Sequence, residues 1–270
     1  MAPEPTLKLT EEQIVQYDRD GFLVVPNFTT PEECARIKTV YDRLFAERAG
    51  REKGDQFDLA GSDEEGKEAK LPQILGPHNY ARELTETLAW ANAGALLRQI
   101  YGTDDVGFGD HAILKPARNG APTPWHQDEA YWDPTRRYRS LSIWLPLQDT
   151  SVEMGCMWFV PGSHRGDILT HRPINNDPRV HGLELDPSVS AGLEKAVACP
   201  IPAGSVTVHD SKTLHYAAGN NTDESRRAWI LSGGATGGPW EGEPRSFPWQ
   251  ALRDTAREKR AREAASATDR

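Results

Sequence analysis

The chain has 270 residues, of which 37% are hydrophobic and 26% are charged, and its formal net charge at pH 7 is −9. This composition excludes a disordered chain, and the length suits one large domain that needs no disulfide staples. The acidic balance disfavours a nucleic acid partner, because phosphate binding requires a basic surface. No apolar run approaches the roughly 18 residues of a membrane span.

The cysteines and the N-terminus predict the cellular compartment. Cys34, Cys156 and Cys199 are odd in number, widely spaced and without a CxxC pair, which is typical of reduced thiols. Residues 1–13 lack the basic start and the apolar run of a signal peptide. We therefore expect a cytoplasmic protein.

The first hundred residues carry helix signals around one short strand. Residues 10–13 and 30–33 fit capping boxes that open helices, and helical spacing of apolar residues returns over 79–100. The apolar run 21–25 suits a strand, whereas the polar, glycine-rich residues 50–70 predict an exposed loop. This part of the chain is expected to form helical support at about 10–102.

Beyond residue 105 the pattern changes to short strands. Residues 140–147 alternate strictly, with Leu141, Ile143 and Leu145 on one face and Ser142 and Trp144 on the other, which is typical of a strand with one face on a core. Four further apolar runs are separated by turn residues: 156–160, 196–201, 205–208 and 228–231. Many short strands without intervening helices favour a sandwich or jelly roll.

These patterns predict a mainly β fold with flanking helices, in a single domain of residues 1–270. Its jelly-roll core is expected at about 103–235. Residues 165–195 show little apolar periodicity and are a candidate lid, since long loops inside a domain are usually functional. The charged residues 250–270 predict a helical tail that frays.

The most informative short segment is His126-Gln127-Asp128. In a strand, residues two apart point to the same side, so that His126 and Asp128 could reach one metal ion. Joined by a distant histidine, they would form the 2-His-1-carboxylate triad of non-haem Fe(II) oxygenases. Taken alone, the motif is short enough to occur by chance in a surface turn.

The segment 215–226 contains a candidate third metal ligand and a candidate partner for a keto acid. His215 is a candidate third ligand, and Arg226 follows eleven positions later on the next predicted strand, where it could pair with the distal carboxylate of a dicarboxylic keto acid. His209, six positions before His215, is the alternative ligand. Because neighbouring strand residues point to opposite faces, only one of Arg226 and Arg227 can face the site.

Four ordered segments resemble the phytanoyl-CoA dioxygenase family: QYDRDGFLV at 16–24, WHQDEAYW at 125–132, MGCMWFVPGSH at 154–164 and HYAAGNNTDESRRAW at 215–229. The resemblance runs from about residue 10 to 235. It implies a double-stranded β-helix with a cupin-like jelly roll. It also implies an enzyme that uses Fe(II), 2-oxoglutarate and O2, with ascorbate in support, mostly to hydroxylate a small molecule.

The resemblance implies a role for each candidate residue. The iron ligands are three side chains: His126, Asp128 and His215. Arg226 is assigned to 2-oxoglutarate, and Gln73 and Lys115 precede His126 at distances where relatives supply polar contacts to this cosubstrate. His164 lies in a turn motif and is not expected to bind the metal.

Alternatives to hydroxylation stay open at this point. Desaturation, cyclisation and epimerisation use the same metal site, and a cupin-like metal-binding protein needs no keto acid, although Arg226 argues against it. The halogenating branch of the family lacks the ligand carboxylate, whereas Asp128 is present here.

Overall fold

The computed structural model describes residues 3–268. Its helices begin where the sequence supplies caps. The side chain of Thr10 caps α1 (Glu11–Asp20) and that of Thr30 caps α2 (Pro31–Ala46), each accepting a hydrogen bond from an otherwise unpaired backbone N–H. Helix α3 (Leu88–Tyr101) follows. No helix between residues 3 and 268 is both long and apolar enough to cross a membrane.

The described residues form thirteen strands in three sheets. They are β1 (Phe22–Val25), β2 (Gln56–Asp58), β3 (Pro72–Leu75), β4 (Val106–Lys115), β5 (Thr123–His126), β6 (Arg136–Pro146), β7 (Met157–Phe159), β8 (His171–Pro173), β9 (Leu183–Leu185), β10 (Val197–Cys199), β11 (Val206–Asp210), β12 (His215–Ala217) and β13 (Arg226–Pro239). The large sheet has the order β1-β11-β6-β13-β4-β3-β2, the small sheet β10-β7-β12-β5, and β8 pairs with β9.

The outer face of the large sheet is covered by the helices. Tyr17 of α1, Tyr41 of α2 and Leu97 of α3 share a buried cluster with Leu145 of β6 and Trp229 of β13. Burying these apolar faces against one another is the main source of stability for such a layer. The helical support predicted from the capping signals is therefore present.

The inner faces of the large and small sheets pack against each other. Phe22 of β1 stacks on Phe159 of β7 with ring centroids 4.7 Å apart, and Trp144 and Ile230 join Met157 in the same buried cluster. This arrangement confirms the predicted jelly roll. It also shows that both faces of β6 are buried, because the face with Trp144 lines the interior.

Two predictions for the N-terminal region are wrong in part. The strand expected from residues 21–25 is present as β1, but the support at about 10–102 also contributes β2 and β3 to the large sheet. The helix predicted over 79–100 begins at Leu88, after short 3-10 turns over Pro77–Asn79 and Arg82–Glu86. The helix begins after Thr87, whose side chain caps it by accepting the backbone N–H of Trp90 at 3.2 Å.

The loop predicted over 50–70 contains a strand. Phe57 in β2 is only 2% exposed, and Asp58 beside it is buried because its carboxylate accepts hydrogen bonds from the backbone N–H groups of Lys70 and Leu71, both at 2.8 Å. A polar residue that satisfies the backbone of a loop in this way gives no apolar signal in the sequence.

The C-terminal tail contains a helix as predicted, and its described part contacts the rest of the chain; its fraying stays a prediction. A short helix, α4 (Pro248–Ala251), precedes helix α5 (Ala256–Thr268), which packs along the chain near Arg51. Arg260 donates to the carbonyl oxygens of Arg51 at 3.0 Å and Gln56 at 3.2 Å and pairs with Asp63. Residues 269–270 of the predicted tail lie outside the described residues.

The segment 165–195 is also more ordered than a free loop. It contains β8 and β9, and the side chains of His171 and Leu183 are buried. Two strands paired over three residues anchor the middle of the segment. Its motion as a lid stays a prediction.

Candidate metal centre

Two histidines lie side by side on neighbouring strands of the small sheet. His126 ends β5 and His215 begins β12, and the two are direct register partners with ring centroids 4.1 Å apart. The Nδ1 of His126 lies 2.8 Å from the carbonyl oxygen of Pro124, and that of His215 lies 2.9 Å from the carbonyl oxygen of Thr213. A carbonyl only accepts, so each Nδ1 carries the proton and each Nε2 keeps a free lone pair for a metal.

The carboxylate of Asp128 completes the cluster from a turn. The expectation that His126 and Asp128 lie on one strand is wrong, because β5 ends at His126 and Asp128 opens a 3-10 helix, Asp128–Tyr131. Its Oδ1 lies 3.7 Å from the Nε2 of His126 and 3.4 Å from that of His215. The ligand atoms of all three residues lie within 4.8 Å of one another, so one ion could contact them all.

Gln127 holds this turn in place. Its Nε2 donates to the carbonyl oxygens of Lys212 at 2.8 Å and Asp167 at 3.3 Å, while its Oε1 accepts the N–H of Leu169 at 2.8 Å. Its own N–H donates to the Nε2 of His171 at 3.2 Å. The middle residue of the motif therefore points away from the metal site and ties it to the segment 165–195.

The protonation states of the cluster suit a divalent cation. Burial, with a contribution from His215, lowers the pKa of His126 to about 3, so that its imidazole is neutral. Burial acts to raise the pKa of Asp128, but the neighbouring His215 and His209 outweigh it and hold that pKa well below its usual range. Neutral imidazoles and an ionised carboxylate are the forms that bind metal.

His209, the alternative third ligand, lies on the other side of the carboxylate. Its Nε2 is 3.4 Å from the Oδ2 of Asp128, and its ring centroid is 4.3 Å from that of His215. It comes from β11 of the large sheet, and neither of its ring nitrogens has a hydrogen bond to a residue between 3 and 268. The three residues whose ligand atoms lie within 4.8 Å of one another include His215, whereas His209 is not among them.

The three candidate ligands line a cavity with a volume of about 280 Å³, and a buried arginine lines it as well. Arg226 is 1% exposed, and its Nε and Nη1 have no hydrogen-bond partner within residues 3–268. Its guanidinium carbon lies 5.2 Å from the ring centroid of Trp144. Burial lowers the pKa of Arg226 to about 9, which leaves it charged at neutral pH, as an arginine is expected to be.

The neighbouring Arg227 points the other way. It forms an ion pair with Asp42 of α2 and donates to the carbonyl oxygen of Ser225. The alternation predicted for this strand is therefore present, with Arg226 inside and Arg227 against a helix.

The two remaining predicted residues have different surroundings. Gln73 on β3 is buried and lines the cavity. Lys115 is completely buried, and its Nζ donates to the carbonyl oxygens of Ala217 at 2.9 Å and Ala218 at 2.6 Å. Its Nζ thus hydrogen-bonds to the backbone that follows His215.

Several residues that line the cavity belong to none of the motifs found in the sequence. They include Leu59, His111, Ser142 and His181. Ser142 belongs to the polar face of the alternating strand, and that face could have indicated the interior of a closed jelly roll. His181 lies in the segment 165–195, where no periodicity indicates which side chains point inward.

Comparisons with known proteins agree with the family that the sequence resembles. The family model of phytanoyl-CoA dioxygenase matches residues 17–228. A probable alpha-ketoglutarate-dependent hypophosphite dioxygenase of Stutzerimonas stutzeri is 28% identical over 237 residues, which are 85% of this chain and 79% of that protein. An ectoine dioxygenase of Stutzerimonas stutzeri strain A1501 is 26% identical over 239 residues, 81% of this chain and 74% of that protein.

A solved structure supports membership in the same family. The crystal structure of EvdO2 from Micromonospora carbonacea var. aurantiaca, complexed with 2-oxoglutarate, is 35% identical and has a TM-score of 0.77. The similarity covers 93% of this chain and 100% of that one. With the family model covering most of its length, the chain belongs to the phytanoyl-CoA dioxygenase family.

Proposed function

We propose that this protein is an Fe(II)- and 2-oxoglutarate-dependent dioxygenase that hydroxylates a C–H bond of a small organic substrate. The observation that carries the proposal is one cavity that holds both a His-Asp-His group and a buried, unpaired guanidinium. A three-ligand site leaves coordination positions open for a cosubstrate. A buried cation without an anionic partner is costly, and the carboxylate of a keto acid would supply that partner.

Each predicted site residue has a role in this function. His126, Asp128 and His215 would hold the iron, and Arg226 would bind the far carboxylate of 2-oxoglutarate, with Gln73 beside it. The bound iron and keto acid supply the oxidising chemistry, which releases succinate and CO2. Lys115 supports this site indirectly, by holding the backbone after His215.

Other residues that line the cavity are suited to an organic substrate. Leu59, Tyr131 and Trp132 provide apolar and aromatic surface, and His181 provides a polar group. Burial lowers the pKa of His181 to about 3, so its neutral ring offers one donor and one acceptor. The relatives named as hypophosphite and ectoine dioxygenases support a small-molecule substrate for this chain.

The proposal can be tested without knowing the substrate. Adding Fe(II) and 2-oxoglutarate to the protein without oxygen should give a weak visible charge-transfer band, because the keto acid chelates the iron. In air, a screen of small organic compounds scored by succinate release should then identify substrates. A protein that shows neither the band nor any succinate above the buffer control would not be a 2-oxoglutarate oxygenase.

The product distinguishes hydroxylation from the alternatives on the same site. A hydroxylated product gains one oxygen atom, a desaturated or cyclised product loses two hydrogens, and an epimerised product keeps its composition. A cupin-like protein without a keto acid would bind metal but show no change of spectrum on addition of 2-oxoglutarate.

We also expect no halogenation. Asp128 occupies the ligand position that a halide would need, so the enzyme in chloride buffer should give oxygenated or dehydrogenated products only. The Asp128→Gly variant is expected to lose most activity, since removing a ligand also disturbs the residues that hold it. Mass spectrometry of the products checks this expectation, and a chlorinated product from the unaltered enzyme would contradict it.

The state of the cysteines supports a cytoplasmic location. Cys34, Cys156 and Cys199 are all unpaired and buried, as thiols are in a reducing compartment. Measuring free thiols in protein isolated under alkylating conditions tests this part of the proposal.

A further inference from the structure

The two carboxylate oxygens of Asp128 have different surroundings. Oδ1 faces the Nε2 atoms of His126 and His215, at 3.7 and 3.4 Å. Oδ2 accepts a hydrogen bond from the Oγ of Ser142 at 2.7 Å. His209 also lies near this oxygen, with its Nε2 3.4 Å from Oδ2, but neither of its ring nitrogens has a geometrically formed hydrogen bond within residues 3–268.

We infer that Ser142 is a positioning residue for the metal-binding carboxylate, holding Oδ2 so that Oδ1 alone is presented to the metal. This inference rests on the metal site of the proposed function. Without the hydroxyl, the carboxylate would be free to turn about its last bond and offer both oxygens. Side chains that hold a ligand in this way usually affect metal affinity by roughly 10–100-fold.

The support for Asp128 comes from three neighbouring strands of the large sheet. Ser142 on β6 is the direct register partner of His209 on β11 and of Ser232 on β13. The Oγ atoms of Ser142 and Ser232 are 2.9 Å apart. A serine hydroxyl has one proton, and Ser142 donates it to a carboxylate that can only accept, so Ser232 must be the donor in the serine pair.

This chain of hydrogen bonds links the two sheets at the metal site. His126 and His215 belong to the small sheet, whereas Asp128 is attached to the large sheet through Ser142. Ser142 is 3% exposed, so its hydroxyl lies inside the protein beside the carboxylate. The relative position of the two sheets therefore sets the distance between the carboxylate and the imidazoles.

The test compares Ser142→Ala with Ser140→Ala in the full-length protein freed of metal. Ser140 lies on the same face of β6, but its Oγ donates to the carbonyl oxygen of Gly233 and makes no contact with Asp128. The affinity for Co(II), an oxygen-stable substitute for Fe(II), is measured by competition with a chromophoric chelator. The thermal unfolding midpoint of each metal-free variant shows whether its fold is intact.

We expect Ser142→Ala to bind Co(II) at least tenfold more weakly than the unaltered protein, with Ser140→Ala within about twofold. The midpoint of metal-free Ser142→Ala should lie close to that of Ser140→Ala, which separates positioning from a general loss of structure. A loss of less than about threefold relative to Ser140→Ala would overturn the inference. Ser232→Ala should weaken binding in the same direction but less, and a larger effect than that of Ser142→Ala would also count against it.

This test is independent of the keto acid. If the unaltered protein binds Co(II) but gives no band with Fe(II) and 2-oxoglutarate, the proposed function fails and the comparison of serine variants still stands. If the band forms and Ser142→Ala binds metal as tightly as Ser140→Ala, only the positioning role fails. An unaltered protein that binds no Co(II) would remove the basis of both.

Discussion

Replacing His126 or His215 with alanine is expected to abolish turnover and the band formed with Fe(II) and 2-oxoglutarate. Each imidazole presents a free Nε2 lone pair beside Oδ1 of Asp128, and removing one leaves two ligands. Because changes to groups that merely hold a ligand cost about 10–100-fold in metal affinity, loss of the ligand itself should cost more than about 100-fold. Titration with Fe(II) under anaerobic conditions measures the effect.

The matched control is His209→Ala, which removes a buried imidazole from the same cluster. His209 contacts the Oδ2 of Asp128 rather than the oxygen that faces the other histidines. We therefore expect this variant to keep the band, with metal affinity reduced by less than about tenfold. Full activity in His215→Ala, together with loss in His209→Ala, would show that His209 is the third ligand.

Replacing Arg226 with alanine is expected to weaken binding of 2-oxoglutarate by about two to three and a half orders of magnitude. Removing one partner of a buried ion pair typically costs about 3–5 kcal/mol, because the other charge is left without its partner, and about 1.4 kcal/mol corresponds to a factor of ten. Arg226 is 1% exposed and has no acidic partner within residues 3–268, so the cosubstrate would be its counter-ion. Titrating 2-oxoglutarate at saturating Fe(II) gives the Kd.

The adjacent Arg227 offers the control for this experiment. Its side chain pairs with Asp42, which is half exposed, and pairs of this kind contribute about 0–1 kcal/mol. Arg227→Ala should therefore change the Kd for 2-oxoglutarate at least tenfold less than Arg226→Ala does. Equal effects, or the reverse order, would mean that Arg226 does not bind the cosubstrate.

Features that depend on neighbouring residues could be predicted from the sequence. The caps at Thr10 and Thr30 begin α1 and α2 as expected, because a cap needs only a side chain and the next turn of backbone. The alternation in residues 140–147 and the opposite directions of Arg226 and Arg227 are likewise consequences of strand geometry over a few residues. His126 and Asp128 could be selected as candidate metal ligands for the same reason, because they are two positions apart.

The contacts between strands, turns and helices could not be predicted, since they join residues far apart in the chain. Whether Ser142 faces solvent or a cavity depends on the small sheet that covers it, and its partner Ser232 lies 90 positions away. The tail is held because Arg260 meets Asp63, 197 positions earlier. Asp128 leaves the strand of His126 because a turn, held by Gln127, brings its carboxylate back over the two histidines. Alternation and capping signals extend over a few residues, whereas these contacts form only when the sheets close.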